Sequence, residues 1–289
     1  MKRTAWVAIA AFAVSLAAQD LKLPNQKDSF HFAVIGDTGT GERPEYEIAS
    51  RLAEYHKVFP FDVVVMMGDN LYGGKKPHDF QKKFEEPYKP LLDGGVKFYA
   101  VLGNHDDPNQ RSYKLFNMGG ERYFTFKPRN GIRFFALDSN YMDKPQLVWL
   151  EKELASSGSD WKIAYFHHPL YSSGAAHGSD LPLRAILEPL FVKYHVSLVL
   201  SGHDHFYERM KPQSGIYYFV VGGSAKLRLA NPRGAGFSEM SFAKDNSFVL
   251  MEIKGDELYF QAISRSGQTI DSGSFRRPET GASTADRAK

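Results

Sequence analysis

Six apolar runs of strand length recur along the first two thirds of the chain, and each ends in polar residues. They span residues 32–36, 63–68, 97–103, 133–137, 163–166 and 196–201. Runs this apolar are typical of strands that are covered on both faces of a sheet. Amphipathic segments lie between several of them, at residues 45–58, 145–155 and 182–194, and a proline stands near the start of each. This alternation of strands and helices predicts a mainly parallel sheet with helices outside it.

The pattern changes after Gly215. Residues 217–221, 248–253 and 258–263 are predicted to be strands with short connections between them. Short connections favour antiparallel pairing, so we expect a second, more antiparallel sheet that closes the same domain. The chain therefore predicts one α/β domain, over residues 30–277, that is built on two packed sheets.

The N-terminal residues predict a signal peptide over residues 1–17. Lys2 and Arg3 form a short positive region before an Ala-rich apolar run, and small residues at Ser15 and Ala17 favour cleavage after Ala17. An uncleaved membrane anchor is the alternative, but the run is shorter than the roughly 20 apolar residues that a spanning helix needs. We therefore expect a secreted or periplasmic protein with no membrane span after cleavage.

Composition and charge narrow the classes of function. Aromatic residues make up 14% of the chain, which argues against a disordered protein, although residues 18–29 predict an irregular lead-in and residues 278–289 a disordered tail. The formal net charge is +3, or near +1 without Lys2 and Arg3, and it gives no support for a general nucleic-acid or membrane-surface binder. There is no cysteine, which excludes disulfides, thiolate metal sites and a cysteine nucleophile.

Residues that can carry chemistry stand where the apolar runs end. Five runs are followed by an Asp, Asn or His, mostly beside a glycine that permits a tight turn. The segments are Gly36-Asp37-Thr38-Gly39, Gly68-Asp69-Asn70-Leu71-Tyr72, Gly103-Asn104-His105-Asp106, His167-His168-Pro169 and Gly202-His203-Asp204-His205. Ligands of open α/β sheets gather at the carboxyl ends of strands, so this placement predicts a metal site with several ligands.

The donor types narrow the metal. Carboxylates, a carboxamide, imidazoles and a phenolate suit iron, zinc or manganese, and they do not suit copper(I) or an iron–sulfur cluster. The candidate ligands are too many for one four-coordinate ion, and two ions that share a carboxylate would use them all. They are Asp37, Asp69, Tyr72, Asn104, His167, His203 and His205. A metal pair about 3.5–4 Å apart is a known device for phosphoryl transfer.

These five segments, in this order from Asp37 to His205, resemble the signature of the calcineurin-like metallophosphoesterases. The second segment, with a tyrosine at position 72, resembles that of the small purple acid phosphatases of the tartrate-resistant type. The resemblance implies an α/β/β/α sandwich, in which two mixed β-sheets are flanked by helices. It also implies a metal-dependent phosphoric ester hydrolase of the purple acid phosphatase type.

The resemblance further implies a role for each candidate residue. Fe(III) would be bound by Asp37, Tyr72 and His205. Fe(II), Zn or Mn would be bound by Asn104, His167 and His203. Asp69 would bridge the two ions, His105 would be the catalytic general acid, and His177, in the loop at residues 174–178, would bind substrate.

The implied mechanism is attack on phosphorus by a metal-bound hydroxide, with His105 protonating the leaving alkoxide and His177 and both metals stabilising the developing charge. We expect an exported acid phosphatase that acts on small phosphomonoesters. Two alternatives remain open: a phosphodiesterase or nucleotide hydrolase with the same site, and a non-catalytic binding protein of the same fold. The oligomeric state, the natural substrate and the second metal are not predicted.

Three residues beside the ligands have competing interpretations. His168 competes with His167, but the family pattern of His, any residue, Pro selects His167 and leaves His168 a supporting role. Asp106 and Asp107 either orient His105 by hydrogen bonding or are solvated loop carboxylates.

The other candidates are predicted to be structural. Asp204 is expected to point away from the metals, and Asp138 matches no ligand position. Gly222-Gly223, after a strand, could approach the site, although a plain turn is favoured. Four histidines without a motif are expected to be surface or structural residues: His31, His56, His78 and His195.

Overall fold

The computed structural model describes residues 21–74, 76–229 and 232–277. The predicted signal peptide and the predicted tail lie outside these residues. Residues 21–29, the described part of the predicted irregular lead-in, contain no helix or strand. They are held to the folded chain by buried Glu252, which accepts hydrogen bonds from the N–H groups of Asn25 and Gln26.

The described residues form thirteen strands and five α-helices. The strands are β1 (Phe30–Ile35), β2 (Val63–Met66), β3 (Lys97–Ala100), β4 (Phe124–Arg129), β5 (Ile132–Ala136), β6 (Trp161–Tyr165), β7 (Leu198–Ser201), β8 (Tyr207–Met210), β9 (Tyr217–Val221), β10 (Ser238–Phe242), β11 (Ser247–Lys254), β12 (Glu257–Ser264) and β13 (Thr269–Arg276). The helices are α1 (Arg43–His56), α2 (Pro77–Phe80), α3 (Glu86–Asp93), α4 (Lys144–Ala155) and α5 (Leu181–Lys193). A π-helical turn (Gln81–Glu85) joins α2 to α3, and two 3₁₀ turns (Pro108–Ser112 and Lys114–Phe116) follow β3.

The first sheet has six strands in the order β13-β12-β11-β1-β2-β3. Strands β1, β2 and β3 are parallel, and β11, β12 and β13 continue the sheet antiparallel from the free edge of β1. The second sheet has seven strands in the order β10-β8-β9-β7-β6-β5-β4. Strands β5, β6, β7 and β9 are parallel, β4 pairs antiparallel with β5 at one edge, and β8 and then β10 pair antiparallel beyond β9 at the other.

The prediction that the strands after Gly215 form a sheet of their own is wrong. Strand β9 pairs parallel with β7 in the second sheet, whereas β11 and β12 extend the first sheet. The C-terminal strands are therefore shared between two mixed sheets. Short hairpins set the antiparallel pairing of neighbours, as expected, but they do not determine which sheet the hairpin joins.

Four layers follow from the way the strand residues alternate. On β1, Phe32 and Val34 point between the sheets, and Ala33 and Ile35 point to the other face. The outer face of the first sheet is covered by α1 and α3, and that of the second sheet by α4 and α5. Both faces of the parallel strands are thus buried, which explains their continuous apolar sequences. The prediction of an α/β/β/α sandwich is confirmed.

The structure adds elements that the hydrophobic pattern did not predict. Residues 77–93 form the helical segment α2, π turn and α3, although Pro87 and Pro90 lie within it. Strands β4, β10 and β13 are edge strands with mostly partly exposed residues, and β8 has only four residues, with Glu208 and Arg209 at its centre, so all four lack the apolar runs of the central strands. No helix among the described residues has the length and apolarity needed to cross a membrane.

Candidate metal centre

Carboxylate, phenol and imidazole groups converge where β1, β2 and β7 end. The hydroxyl of Tyr72 lies 3.1 Å from Oδ1 of Asp37 and 3.2 Å from Nε2 of His205. Nε2 of His205 is 3.3 Å from the same Asp37 oxygen, and the donor atoms of Asp37, Asp69 and His205 all lie within 4.8 Å of one another. These four side chains form the first donor group, and they are the four assigned to Fe(III) above.

A second donor group lies where β3, β6 and β7 end. Nε2 of His167 is 3.0 Å from Oδ1 of Asn104, 3.1 Å from Nδ1 of His203 and 3.5 Å from Oδ1 of Asp69. Asp69 therefore touches both groups, which is the position that a bridging carboxylate needs. The seven predicted ligands come together in two groups that share one residue.

A hydrogen bond fixes the orientation of His167. Its Nδ1 lies 2.8 Å from the carbonyl oxygen of Met67, so Nδ1 carries the hydrogen and the lone pair of Nε2 faces Asn104 and His203. Histidines that bind metals are commonly oriented in this way by a carbonyl group. The arrangement leaves the metal-facing nitrogen of His167 unprotonated.

The ionisation of the site fits cation binding. Burial and the neighbouring Asp69 carboxylate raise the pKa of Asp37 well above its ordinary value. No Lys or Arg among the described residues forms an ion pair with Asp37 or Asp69, so these buried carboxylates lack a balancing cation. Burial together with the Asp37 carboxylate also raises the pKa of the Tyr72 phenol, which keeps its proton and donates it to Asp37.

The histidines are held in their neutral form. Burial lowers the pKa of His167 well below its ordinary value, and it lowers that of His205 to about 4. Burial and neighbouring His167 lower the pKa of His203 to about 2. Neutral imidazole is the form that binds metals. The site thus offers two carboxylates without a Lys or Arg partner, one amide oxygen and three neutral imidazoles. This set of donors fits a pair of hard or borderline divalent or trivalent cations.

The backbone of the site is strained where the ligands are attached. Asp37, Asp69 and His203 have φ values of +54°, +51° and +70°, in the left-handed region that non-glycine residues rarely adopt. Such conformations persist where the surrounding structure enforces them, and they cluster at functional sites. Two glycines are required because the backbone passes close to these carboxylates. A Cβ at Gly103 would lie 2.1 Å from Oδ1 of Asp69, and one at Gly202 would lie 2.6 Å from Oδ2 of Asp37.

Asp106 connects the loops after β2 and β3. Its Oδ2 accepts hydrogen bonds from the N–H of Gly103 and from both the N–H and the side-chain amide of Asn70. Its Oδ1 accepts one from the N–H of Leu71. The described hydrogen bonds of Asp106 join it to these loop groups and not to His105, and Asp107 caps the following 3₁₀ turn by accepting from Asn109 N–H. The role of Asp106 was missed because its partners on Asn70 and Leu71 are 35 or 36 positions away in the sequence.

The two histidines assigned to catalysis and substrate binding lie at the donor groups. The ring of His105 is 5.1 Å from the ring of Tyr72, and the ring of His177 is 4.1 Å from that of His203, measured between centroids. Both side chains are exposed, unlike the buried His167. They are accessible to a molecule that reaches the site from solvent.

Two buried carboxylates hold the loop that carries His177. Oδ2 of Asp204 accepts from the hydroxyl of Ser172 and from the N–H of Gly178. Glu208, on β8, accepts from the N–H and the hydroxyl of Ser173. Asp204 thus lies between two ligands in sequence while its carboxylate faces the loop.

His168 is closer to the second donor group than the sequence pattern suggests. Donor nitrogens of His167, His168 and His203 lie within 4.8 Å of one another. Nδ1 of His168 is 2.9 Å from the hydroxyl of Ser139. The geometry therefore keeps His168 beside the second metal position, as a neighbour that packs on His203 with a centroid distance of 4.5 Å.

The remaining residues considered from sequence lie outside the donor groups. Asp138 is buried and forms an ion pair with Arg122. His31 stacks on Phe59, and His56 lies 3.0 Å from the carbonyl oxygen of Phe61. His78 is exposed near Asp79, and His195 follows α5 in a left-handed conformation.

Of the two interpretations of Gly222-Gly223, the approach to the site is confirmed, and the favoured plain turn is wrong. A Cβ at Gly222 would lie 2.9 Å from Oδ2 of Asp37, so this segment approaches the first donor group. It follows β9, which is parallel to β7 and ends at the same edge of the sheet. This segment, like the other ligand segments, follows the end of a parallel strand. Its glycines have no donor side chain, so the sequence does not show that the segment belongs to the site.

Fold and site together define a phosphoesterase of the calcineurin-like class. The model of the calcineurin-like phosphoesterase family matches residues 30–207, from the start of β1 to the start of β8. The chain belongs to this family, and the match includes every predicted metal ligand. The predictions of the family and of a phosphoric ester hydrolase are confirmed.

Individual relatives narrow the similarity further. Tartrate-resistant acid phosphatase type 5 of Rattus norvegicus is 25% identical over 300 residues, which cover 86% of this chain and 91% of that protein. The Arabidopsis thaliana protein named Fe(3+)-Zn(2+) purple acid phosphatase 12 is 28% identical over 221 residues, covering 67% of this chain and 46% of that protein. The solved structure of GAP50, described as the anchor in the inner membrane complex of Plasmodium, has a TM-score of 0.79 at 20% identity and covers 88% of this chain and 90% of that one. The last likeness establishes the shared fold alone.

Proposed function

We propose that this protein is an acid phosphatase of the purple type that hydrolyses phosphomonoesters at a dinuclear metal centre. The observation that carries the proposal is the convergence of two donor groups on Asp69, with buried carboxylates that lack a Lys or Arg partner among the described residues. A single ion would not need both groups. The names of the rat and Arabidopsis relatives support an acid phosphatase and an iron–zinc pair.

In this proposal each donor group holds one ion. Asp37, Tyr72 and His205 would hold Fe(III). Asn104, His167 and His203 would hold Fe(II), Zn or Mn, and Asp69 would bridge. The bound pair would supply activation of the attacking water and positive charge that neutralises the phosphoryl oxygens.

The protein's own residues would orient the substrate and move one proton. Exposed His105, beside Tyr72, is positioned to donate a proton to the leaving oxygen, a task for which imidazole is suited near neutral pH. Exposed His177, beside His203, is positioned to donate a hydrogen bond to a phosphoryl oxygen. Asp204 and Glu208 would keep His177 in place through the loop that they hold.

Hydrolysis of two substrates tests the proposal. Purified, metal-reconstituted protein is assayed with p-nitrophenyl phosphate and with bis(p-nitrophenyl) phosphate at mildly acidic pH, and metal content is measured on the same sample. We expect the monoester to be cleaved faster. Preference for the diester would replace the phosphatase with a phosphodiesterase, and failure to cleave either ester with both metals bound would favour the non-catalytic binding protein.

A matched pair of variants assigns the activity to the site. Asp69→Asn is expected to lose monoester hydrolysis together with bound metal. Asp93→Asn makes the same chemical change on an exposed residue before β3, at the opposite edge of the sheet, and is expected to keep both. The proposal also includes export with cleavage after Ala17, and N-terminal sequencing of protein recovered outside the cytoplasm tests it.

A further inference from the structure

The segment after β9 is hydrogen-bonded to the backbone that carries two proposed ligands. The N–H of Lys226 donates to the carbonyl oxygen of Asp37 at 3.1 Å, and the N–H of Arg228 donates to that of His205 at 3.0 Å. The N–H of Ser224 donates in the same way to Gly36 at 3.2 Å. These bonds recur at every second residue, so the segment is fixed in register against the first donor group.

The cationic side chain of Lys226 faces that group, and Arg228 stands two residues further along the same segment. Nζ of Lys226 lies 4.7 Å from the centroid of the Tyr72 ring, the ring whose hydroxyl contacts Asp37 and His205. Arg228 is exposed and Lys226 is half-buried, so solvent and small solutes can reach both.

Several other arginines among the described residues are neutralised by carboxylates. Arg122, Arg209 and Arg265 each form an ion pair with at least one aspartate. Within residues 21–74, 76–229 and 232–277, neither Lys226 nor Arg228 forms an ion pair with a carboxylate. Two unpaired cations beside a site that binds metal cations repel those metals, unless an anion lies between them.

We propose that Lys226 and Arg228 form a second anion-binding subsite beside the two-metal centre, and that it selects substrates with a second phosphoryl group next to the one that is hydrolysed. Arginine binds phosphoryl oxygens in a bidentate manner, and lysine adds a compact charge, so the pair suits this group. The inference rests on the proposed phosphatase activity and adds residues that determine its substrate preference. The loop carrying His177 is paired with the continuation of this segment, Gly174 with Pro232, so it would border the same substrate.

Inorganic pyrophosphate is the simplest substrate of this class. Water forms a bond to one phosphorus atom, and the bond from that phosphorus to the bridging oxygen breaks. The bridging oxygen leaves with the electron pair and takes a proton, so two phosphate products form. The phosphoryl group that leaves is the one that Lys226 and Arg228 would hold.

The kinetic test compares pyrophosphate with p-nitrophenyl phosphate, whose leaving group carries no second phosphoryl. In Lys226→Gln/Arg228→Gln, kcat/KM for pyrophosphate is expected to fall by about 10- to 100-fold, the range for losing charge-assisted hydrogen bonds. The value for p-nitrophenyl phosphate is expected to fall at most about threefold, as weak long-range attraction is lost. Lys244→Gln removes an exposed cation from the loop after β10 and is the matched control, expected to change neither value.

A binding measurement separates this inference from the proposed function. Calorimetric titration of the metal-loaded protein with methylenediphosphonate, which is not hydrolysed, is compared with methylphosphonate. The subsite predicts that wild-type protein binds the diphosphonate more tightly and that the double variant loses this advantage while it retains its metals. If both ligands bind wild-type protein equally, or if the double variant keeps the advantage, the subsite is wrong even where p-nitrophenyl phosphate is hydrolysed. If neither substrate is cleaved, the phosphatase proposal fails, and the titration still decides the subsite.

Discussion

Replacing Asp106 by Asn should destabilise the loops that carry Asp69 and Asn104. The carboxylate of Asp106 accepts four hydrogen bonds, at 2.8 Å from Gly103 N–H, 3.0 and 3.1 Å from Asn70, and 3.0 Å from Leu71 N–H. All four donors belong to the turns that follow β2 and β3. The carboxylate therefore holds together two of the strand ends on which the metal site is built.

The magnitude follows from the number of acceptors that remain. An asparagine has a single acceptor oxygen, which can replace Oδ2 and keep three bonds. Its NH₂ group then faces the N–H of Leu71, so one charge-assisted bond is lost and two donors oppose each other. Loss of a hydrogen bond to a charged group costs about 1.5–3 kcal/mol, and we expect a total of about 2–4 kcal/mol. For a chain of this size that corresponds to a lower Tm by about 3–7 °C.

Thermal unfolding of the metal-loaded variants, followed by circular dichroism, measures this effect. Asp107→Asn is the control, because it makes the same change one residue later at a capping position where Asn and Asp serve equally well. We also expect Asp106→Asn to weaken metal binding by about 10- to 100-fold, as for other residues that support metal ligands. Equal Tm values and metal affinities for the two variants would refute the assignment of Asp106 as the link between the loops.

Three further predictions concern single residues of the site. Tyr72→Phe should abolish the visible charge-transfer band expected of an iron-loaded protein and weaken binding of that ion, as measured by absorption spectroscopy and metal analysis. His105→Ala should lower kcat by about 10²- to 10⁴-fold for an alkyl phosphate with a poor leaving group and much less for p-nitrophenyl phosphate, because general-acid catalysis matters most for a basic leaving oxygen. Glu208→Gln should raise KM more than it lowers kcat, because the carboxylate that accepts from both groups of Ser173 holds the loop of His177.

Each of these predictions has an outcome that contradicts it. A band that persists in Tyr72→Phe would place another ligand on the iron. An equal loss for both leaving groups in His105→Ala would assign that histidine to binding. A KM for Glu208→Gln that matches the wild-type value, with correct folding shown by circular dichroism, would remove the loop from substrate recognition.

The sequence predicted the central strands and helices because their patterns are strong. Runs such as residues 63–68 are apolar throughout, since both faces of the parallel strands are covered. The helix at residues 43–56 carries its apolar residues Ile48, Leu52 and Tyr55 on one face. The edge strands β4, β10 and β13 escaped prediction because most of their residues are only partly buried, so they lack a continuous apolar run.

The donor residues of the site were also predictable, for a topological reason. Parallel strands of both sheets deliver their carboxyl ends to one edge, so Asp, Asn and His residues at those ends meet in space. The residues that hold the ligand loops in place were not predictable in the same way. Asp106 and Glu208 act through backbone groups of other loops, and Lys226 lies on a segment whose approach to Asp37 is set by the pairing of β9 with β7.

The number of metal ions bound per chain decides whether the centre is dinuclear. It is measured on the reconstituted wild type and on Asp69→Asn by elemental mass spectrometry. A dinuclear centre predicts two ions per wild-type chain and loss of tight binding at both positions when the shared carboxylate is removed. A wild-type protein that binds one ion or none after full reconstitution, or an Asp69→Asn variant that retains two, would contradict it.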